Sequence, residues 1–448
     1  MTLQTLTDNR ALVEHLARLD AGRMRAYRDN LAFYRGQQWA GVQRRRERRL
    51  VFNYAKALVD KAASYLMNGV QSVVDPEDGS PAAAERARMA ERALRDVAET
   101  NNLAQLDFDS EIDASILGDG AYKVTWDADQ RRVRVTAPDV QGLHAWWLGD
   151  DVGRVWRVAS RYALSDEEAT LLYGVAGGLA SSRKQHSVVE IWTDERFELW
   201  LDGALVESKA NPYGFIPFVL YANLREPKQF WGTSDLAPVR EPIRELNRAL
   251  SQLSMILELS GNPVAVLENV TESTDIAVAP GAVWELPERA RAYLLDLLQG
   301  GGINLHVEYV NVLFRTLHDL AETPRTSFGD NGRGLSGVAL NIELDPLLKK
   351  VQRKRILREA ALKRRNEMVL RLLEQHTGVS YAPYRTRIVW GELLPADESR
   401  RVMDETRLVA AGIHSRRRAA NQLGVEDPES EFERWRVESA AIESGRVS

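Results

Sequence analysis

The chain has 448 residues, 59 basic and 64 acidic side chains, a formal net charge of −5 and no cysteine. That length allows roughly two to four domains and a sizeable core. The lack of cysteine excludes disulfides, thiolate metal clusters and cysteine nucleophiles and suits a reducing compartment, while mild acidity excludes a polycation that grips nucleic acid by bulk charge. Met1 to Arg10 is polar with no apolar leader core, and no stretch approaches the ~18 uninterrupted apolar residues of a membrane helix, so a soluble, intracellularly assembled chain is expected.

Apolar residues recur three or four apart at Leu12, Val13, Leu16, Leu19, Met24, Tyr27, Leu31 and Tyr34, which predicts one amphipathic helix ending near Gly36. The basic run Arg44 to Arg49 reads as a solvated loop that could touch phosphate. A second helix passes through Tyr54, Leu58, Ala62, Tyr65 and Leu66 and stops at Asn68-Gly69. Residues 75–100 read as a loop followed by an exposed helix. Asp107, Asp109, Glu111 and Asp113 then alternate; they lack the glycine and closing glutamate of a calcium loop, and a helix would spread them around its axis.

After Gly118-Asp119-Gly120 the period changes. Tyr122, Val124 and Trp126, a turn at Asp127 to Gln130, then Val133 and Val135 predict a hairpin. Further strands are expected at residues 155–162, 188–193 and 197–201 in a small antiparallel region. Trp126, Trp146, Trp147, Trp156, Trp192 and Trp200 fall there, read as core rather than as platforms for nucleic-acid bases. Beyond Trp231-Gly232, Asp235 is expected to cap a helix whose seam is Ile243, Leu246, Leu250, Leu253 and Leu257, closing at Gly261. A second seam carries Ile303, Val310, Leu313, Leu317 and Leu320, broken only by His306, and stops at Thr323-Pro324. About forty residues between the two, with short strands at 264–267 and 282–286, suggest a stalk with a head. Residues 325–341 read as a long glycine-rich loop. Asp345-Pro346 is expected to open a helix to Thr377, in whose first half Lys349, Lys350, Arg353, Lys354, Arg355, Arg358, Lys363, Arg364 and Arg365 face only Glu359 among acids. A strand at 386–390 and three short terminal helices complete the chain.

No catalytic motif accompanies these elements. There is no phosphate loop, Gly300-Gly301-Gly302 lacks dinucleotide-loop spacing, HExxH is absent, the seven histidines are scattered, and Ser336 is not in a nucleophile elbow. No catalytic residue, metal or cofactor is expected. Two alternatives stand beside a structural role: a metal-dependent nucleic-acid-processing enzyme, for which Asp107 to Asp113 is the one candidate cluster, and a non-viral coiled-coil scaffold.

The order of segments resembles the portal proteins of tailed bacteriophages, specifically the SPP1-like portal family. The matching pieces are Asn53-Tyr54-Ala55-Lys56 with Tyr65-Leu66, Gly118 to Tyr122, Val188 to Thr193, Asn211-Pro212-Tyr213-Gly214-Phe215-Ile216-Pro217 and Trp231-Gly232-Thr233-Ser234-Asp235-Leu236 running to Asn247. Ser336 to Leu340, Gly412-Ile413-His414-Ser415 and Glu431-Phe432-Glu433-Arg434 complete the set. The chain departs from the pattern at Glu245, where an aspartate is expected, and in a short terminal α region.

The resemblance implies an α+β portal fold: a β-rich wing (1–232), a stem helix (233–260), a small α/β clip (261–301), a second stem helix (302–322), then tunnel loop, basic helix and wing return strand (323–394), and a helical crown (395–448). It implies a homo-oligomeric ring, usually of twelve copies, at one capsid vertex of the virion. The ring would pass double-stranded DNA during packaging and ejection and nucleate procapsid assembly. Its implied partners are the terminase large subunit, the head-tail adaptor and the major capsid and scaffolding proteins, with no membrane. Arg325, Arg333, Lys349 and Lys350 are the candidate phosphate contacts in the channel. Ile243, Leu246, Leu250, Leu253, Leu257, Val310, Leu313, Leu317 and Leu320 are the candidate stem and subunit packing residues.

Overall fold

The computed structural model describes residues 9–39, 49–173, 185–261, 264–269, 289–295, 302–330, 337–393, 398–425 and 428–443. The chain divides into two compact units, 1–389 and 390–448.

In the first unit the expected N-terminal helix is two, α1 (Asn9–Leu19) and α2 (Ala21–Tyr34). The break falls at Asp20, whose carboxylate accepts a 2.7 Å bond from Arg23 and lies 3.0 Å from His144 Nδ1. Short polar side chains that bond locally compete with helix continuation. α3 (Tyr54–Leu66) is capped by Asn53 Oδ1, which accepts from the Lys56 amide, and it buries Leu58, Val59 and Leu66. Each such side chain contributes about 1.5–3 kcal/mol by leaving water. β1 (Gln71–Val74) precedes α4 (Pro81–Thr100), which starts as proline-first helices do, with Ser80 Oγ accepting from Ala83 N. The acidic alternation is helical: α5 (Leu103–Leu117) ends at Gly118, whose φ of +114° suits glycine.

The predicted hairpin is β2 (Asp119–Asp127) with β3 (Arg132–Thr136). Then come β4 (Leu143–Leu148), β5 (Asp151–Ser165), the short helix α6 (Asp166–Tyr173), β6 (Gln185–Trp192), β7 (Arg196–Leu201), β8 (Ala204–Ala210) and β9 (Phe218–Ala222). Strands β4 to β8 form an antiparallel meander, while β9 returns to pair with β2, so that the second sheet runs β3-β2-β9. One face of the meander packs Ala159, Val189, Ile191 and Trp200 on Leu16 of α1; Val158, Val188 and Trp192 join the main core with α2, α3 and the buried residues Ile243, Leu246 and Leu317. Of the six strand-region tryptophans, Trp192 and Trp200 are buried and Trp156 is exposed. Trp126 stacks on His376 at 4.0 Å and Trp147 on Phe230 at 4.5 Å.

Two long helices follow, α7 (Arg240–Gly261) and α8 (Gly302–Ala321), separated by the antiparallel pair β10 (Val264–Glu268) and β11 (Arg291–Leu295). The strand expected at 282–286 lies outside the described residues. α9 (Gly337–Thr377) runs through Pro346 rather than starting there, so part of the expected loop is helical, and Arg325–Phe328 is a 3-10 turn. β12 (Thr386–Val389) closes the unit against β1. The second unit holds α10 (Glu398–Ala410), α11 (Arg416–Gln422) and α12 (Pro428–Glu443), with Ser415 Oγ capping α11.

Candidate functional site

The helix pair α7/α8 is built as its seams predict at one end and differently at the other. Ile243, Leu246 and Leu317 are fully buried and Val310 nearly so, all within the main core. Leu250, Leu253 and Leu313 are half-buried, and Leu257 and Leu320 are about half exposed, at 52% and 46%. Beside them Met255, Leu305, Val307, Tyr309 and Val312 are also exposed. The chain thus buries the seam where the helices meet the body and leaves apolar flanks in water along the rest. Glu245, the departure from the expected aspartate, accepts a 2.8 Å bond from Tyr309 across the pair and holds Arg248 at 2.5 Å. Its longer arm serves both contacts. Asn247, fully buried, accepts from the Phe52 amide at 2.9 Å, and Ser251 Oγ accepts from Leu50, so the segment before α3 is pinned along α7.

Asp235 does not cap α7, which starts at Arg240. Its carboxylate is buried and accepts from Lys354 Nζ at 2.7 Å and Asn223 Nδ2 at 3.0 Å, with Lys350 Nζ 3.4 Å away. It belongs to a network laid along the inner face of α9. Lys354 also donates to Glu111 (3.2 Å) and Ser115 (2.8 Å). Arg358 places all five N–H groups: two on Glu111, one each on the carbonyls of Ala222 and Asn223, and one on Asn223 Oδ1. Arg365 pairs with Asp107, and its guanidinium lies 4.8 Å from the Tyr122 ring centre. Lys350 Nζ donates at 3.1 Å to the carbonyl of Ala321, the last residue of α8. One stripe of α9 therefore grips the approach to α7 and the end of α8 together.

These charges are compatible with burial because each is met by counter-charge and hydrogen bonds. Burial alone would raise the Glu111 and Asp235 carboxyls. Arg358 and Lys354 outweigh it at Glu111, and Lys350 and Lys354 at Asp235, so both carboxyls sit below the ordinary range. A small cavity of about 10 Å³, bounded by Asp107, Glu111, Tyr122, Tyr221 and Arg358, lies against this network.

The candidate DNA contacts separate accordingly. Lys350 is corrected: it is buried at 6% exposure and bound inside its own chain, not presented to a duplex. Lys349, one residue earlier, is exposed. Arg325 is exposed, pairs with Asp330 and lies in the turn after α8. Arg333 lies outside the described residues. Of the nine bases between Lys349 and Arg365, Lys350, Lys354, Arg358 and Arg365 point inward, while Arg353, Lys363 and Arg364 pair on the surface with Glu322, Glu359 and Glu367. The expectation of a solvated or phosphate-facing basic helix is thus overturned for the four buried cations. The one sequence signal for two of the acids that meet them is the spacing of Asp107 and Glu111, four apart and so on one face of a helix.

The enzyme alternative loses its candidate cluster to the same pairing. Asp107 and Glu111 are ion-paired, Asp109 accepts from Gln105 at 2.7 Å, and among the described residues no three metal-ligating side chains converge. Among the described residues, too, no helix is long and apolar enough to cross a membrane.

A mixed α+β body with two long helices separated by a small strand pair, followed by a turn and a third long helix, keeps the segment order that the resemblance requires. The family model described as phage portal protein, SPP1 Gp6-like, matches residues 23–445. The chain belongs to this family. Comparison with curated proteins finds no match. As a portal protein it is a structural, non-enzymatic viral protein. Within it the buried network was the feature that sequence reasoning missed.

Proposed function

We propose that this portal protein closes into a ring of about twelve copies at one capsid vertex and forms the channel for double-stranded DNA in packaging and ejection. The observation that carries this reading is the row of exposed apolar side chains on α7 and α8, from Met255 and Leu257 to Leu305, Val312 and Leu320. A ring is a closed heterologous assembly, in which one face of a subunit meets a different face of the next. A helix pair with apolar residues on both flanks suits that geometry. In this reading residues 1–232 are the wing, 233–260 and 302–322 the stem, 261–301 the clip, 323–394 the tunnel loop with its helix and return strand, and 395–448 the crown. The clip would meet the terminase large subunit and later the head-tail adaptor, and the ring would meet the major capsid and scaffolding proteins. Lys349 and Arg325 are the channel contacts retained from the described residues, with Arg333 beside them in sequence.

The test is the solution mass of the full chain by light scattering, with negative-stain images of the same fraction. Twelve copies of 50.4 kDa give about 600 kDa and an axial hole. A stable dimer without axial symmetry would sink the proposal.

A further inference from the structure

The helix α6 is only eight residues long, below the length at which a helix holds itself in water. It carries its own capping box: Ser165 N donates to Glu168 Oε2 at 2.7 Å while Glu168 N donates to Ser165 Oγ. What binds it to the sheet is sparse. Ala169 is buried, Tyr173 Oη meets Tyr162 Oη at 3.3 Å, and Leu171 and Leu172 point into water. At the first turn, however, His186 of β6 lies between two carboxylates. Its Nε2 is 2.5 Å from Asp166 Oδ1 of α6, and its Nδ1 is 2.6 Å from Asp202 Oδ2 in the β7–β8 turn. Asp202 is itself fixed, since its other oxygen accepts from Ser187 N at 2.9 Å.

A neutral imidazole has one N–H and one lone pair. With a carboxylate oxygen at hydrogen-bond distance from each nitrogen, the neutral ring would satisfy one acid and turn a lone pair on the other. The imidazolium satisfies both. The two nitrogens point to opposite sides of the ring, so the trio cannot close around one metal ion. We propose that His186 is a pH-operated clasp: as the imidazolium it pins α6 to β6 and to the β7–β8 turn, and loss of one proton releases the helix.

Among the described residues, the charged groups facing the ring are Asp166 from α6 and Asp202 from the turn. β5 presents Leu164 opposite it, and its strand neighbours Gln185 and Ser187 are neutral. Asp166 first, then Asp202, raise the imidazole above its ordinary value. A raised folded value means that the clasp is fully closed below the free-histidine range, near pH 6.5, and opens as pH rises through the folded value.

Hydrogen exchange of the full chain, read by mass spectrometry on peptides spanning 166–173 at pH 6.5 to 9.5 and corrected for intrinsic rates, tests this. Above the folded value, protection of α6 falls by up to tenfold per pH unit, while a peptide from α3 stays constant. His186→Gln leaves α6 open at pH 6.5 with no pH step. Asp166→Asn, on the exposed side of the pair, does the same without touching the sheet. His186→Arg, with a permanent charge, removes the step and keeps α6 protected. Constant protection of wild-type α6 from pH 6.5 to 9.5, or a His186→Gln or Asp166→Asn profile that tracks wild type, would overturn the proposal.

Discussion

Glu111→Gln is the substitution that weighs the buried network. Glu111 is 1% exposed and carries the counter-charge for Arg358 and Lys354, themselves 3% and 1% exposed. The amide is nearly isosteric, so no cavity confuses the result; it keeps one acceptor but leaves two buried cations short of a negative charge. Removing one partner of a buried pair costs about 3–5 kcal/mol, whereas an exposed pair is worth about 0–1. With a guanidinium m-value of roughly 4 kcal/mol/M, a 4 kcal/mol loss moves the unfolding midpoint down by about 1 M. The control is Glu359→Gln, which breaks the exposed pair with Lys363 at 2.6 Å and should move the midpoint by no more than about 0.2 M. Both are read by far-ultraviolet circular dichroism at one protein concentration, because assembly would otherwise shift the midpoint by mass action. Equal midpoints for the two variants would refute the claim that these charges are desolvated and mutually dependent.

The same network sets an acid limit. Because the Glu111 and Asp235 carboxyls lie below their unfolded values, their contribution is present above about pH 4.5 and is lost as pH falls through the folded values; a pH–stability profile should decline there, less steeply in Glu111→Gln. Gly232→Ala should destabilise by about 1–3 kcal/mol in the same denaturation assay, since a Cβ there would lie 2.4 Å from the Gly118 carbonyl oxygen and 2.8 Å from Ala222 Cβ. Lys349 and Lys350 should part company: Lys349→Gln leaves stability within about 0.5 kcal/mol of wild type and lowers the salt dependence of DNA retention, while Lys350→Met shifts stability and leaves that salt dependence unchanged. A stability effect at Lys349 equal to that at Lys350 would contradict the burial difference between them.

Periodicity made the elements legible wherever a single partner surface imposes one period. α3, the β2–β3 hairpin, α7 and α8 were readable because their apolar residues face one body. The break at Asp20 was not, because it depends on Arg23 and on His144, 124 residues away. β8 was hidden for the opposite reason: as an edge strand it is mostly exposed, and its sequence shows no apolar alternation. The start of α9 was misread at Pro346, where a proline that usually opens a helix sits inside one. The charged stripe was harder still. Lys350, Lys354 and Arg358 recur every four residues on the same side as Leu347, Val351 and Leu362, a pattern that a solvated helix has no reason to adopt, yet the acids that explain it lie about 240 residues earlier.

The placement of that stripe bears on how force would pass through the molecule. Lys350 touches Asp235 just before α7 and the last carbonyl of α8, and Lys354 holds Asp235 and Glu111 at once. A shift of α9 by one turn, about 5.4 Å, would set each cation against its neighbour's partners, where an ammonium and a guanidinium are not interchangeable. Such a helix has one stable register. Apolar packing alone tolerates sliding and repacking, as cores accept many combinations of similar volume, but a ladder of unequal charged rungs does not. If DNA moves along the stem, as we propose, the chain has committed its interior cations to fixing the base of that stem, and leaves few with which to hold the duplex still.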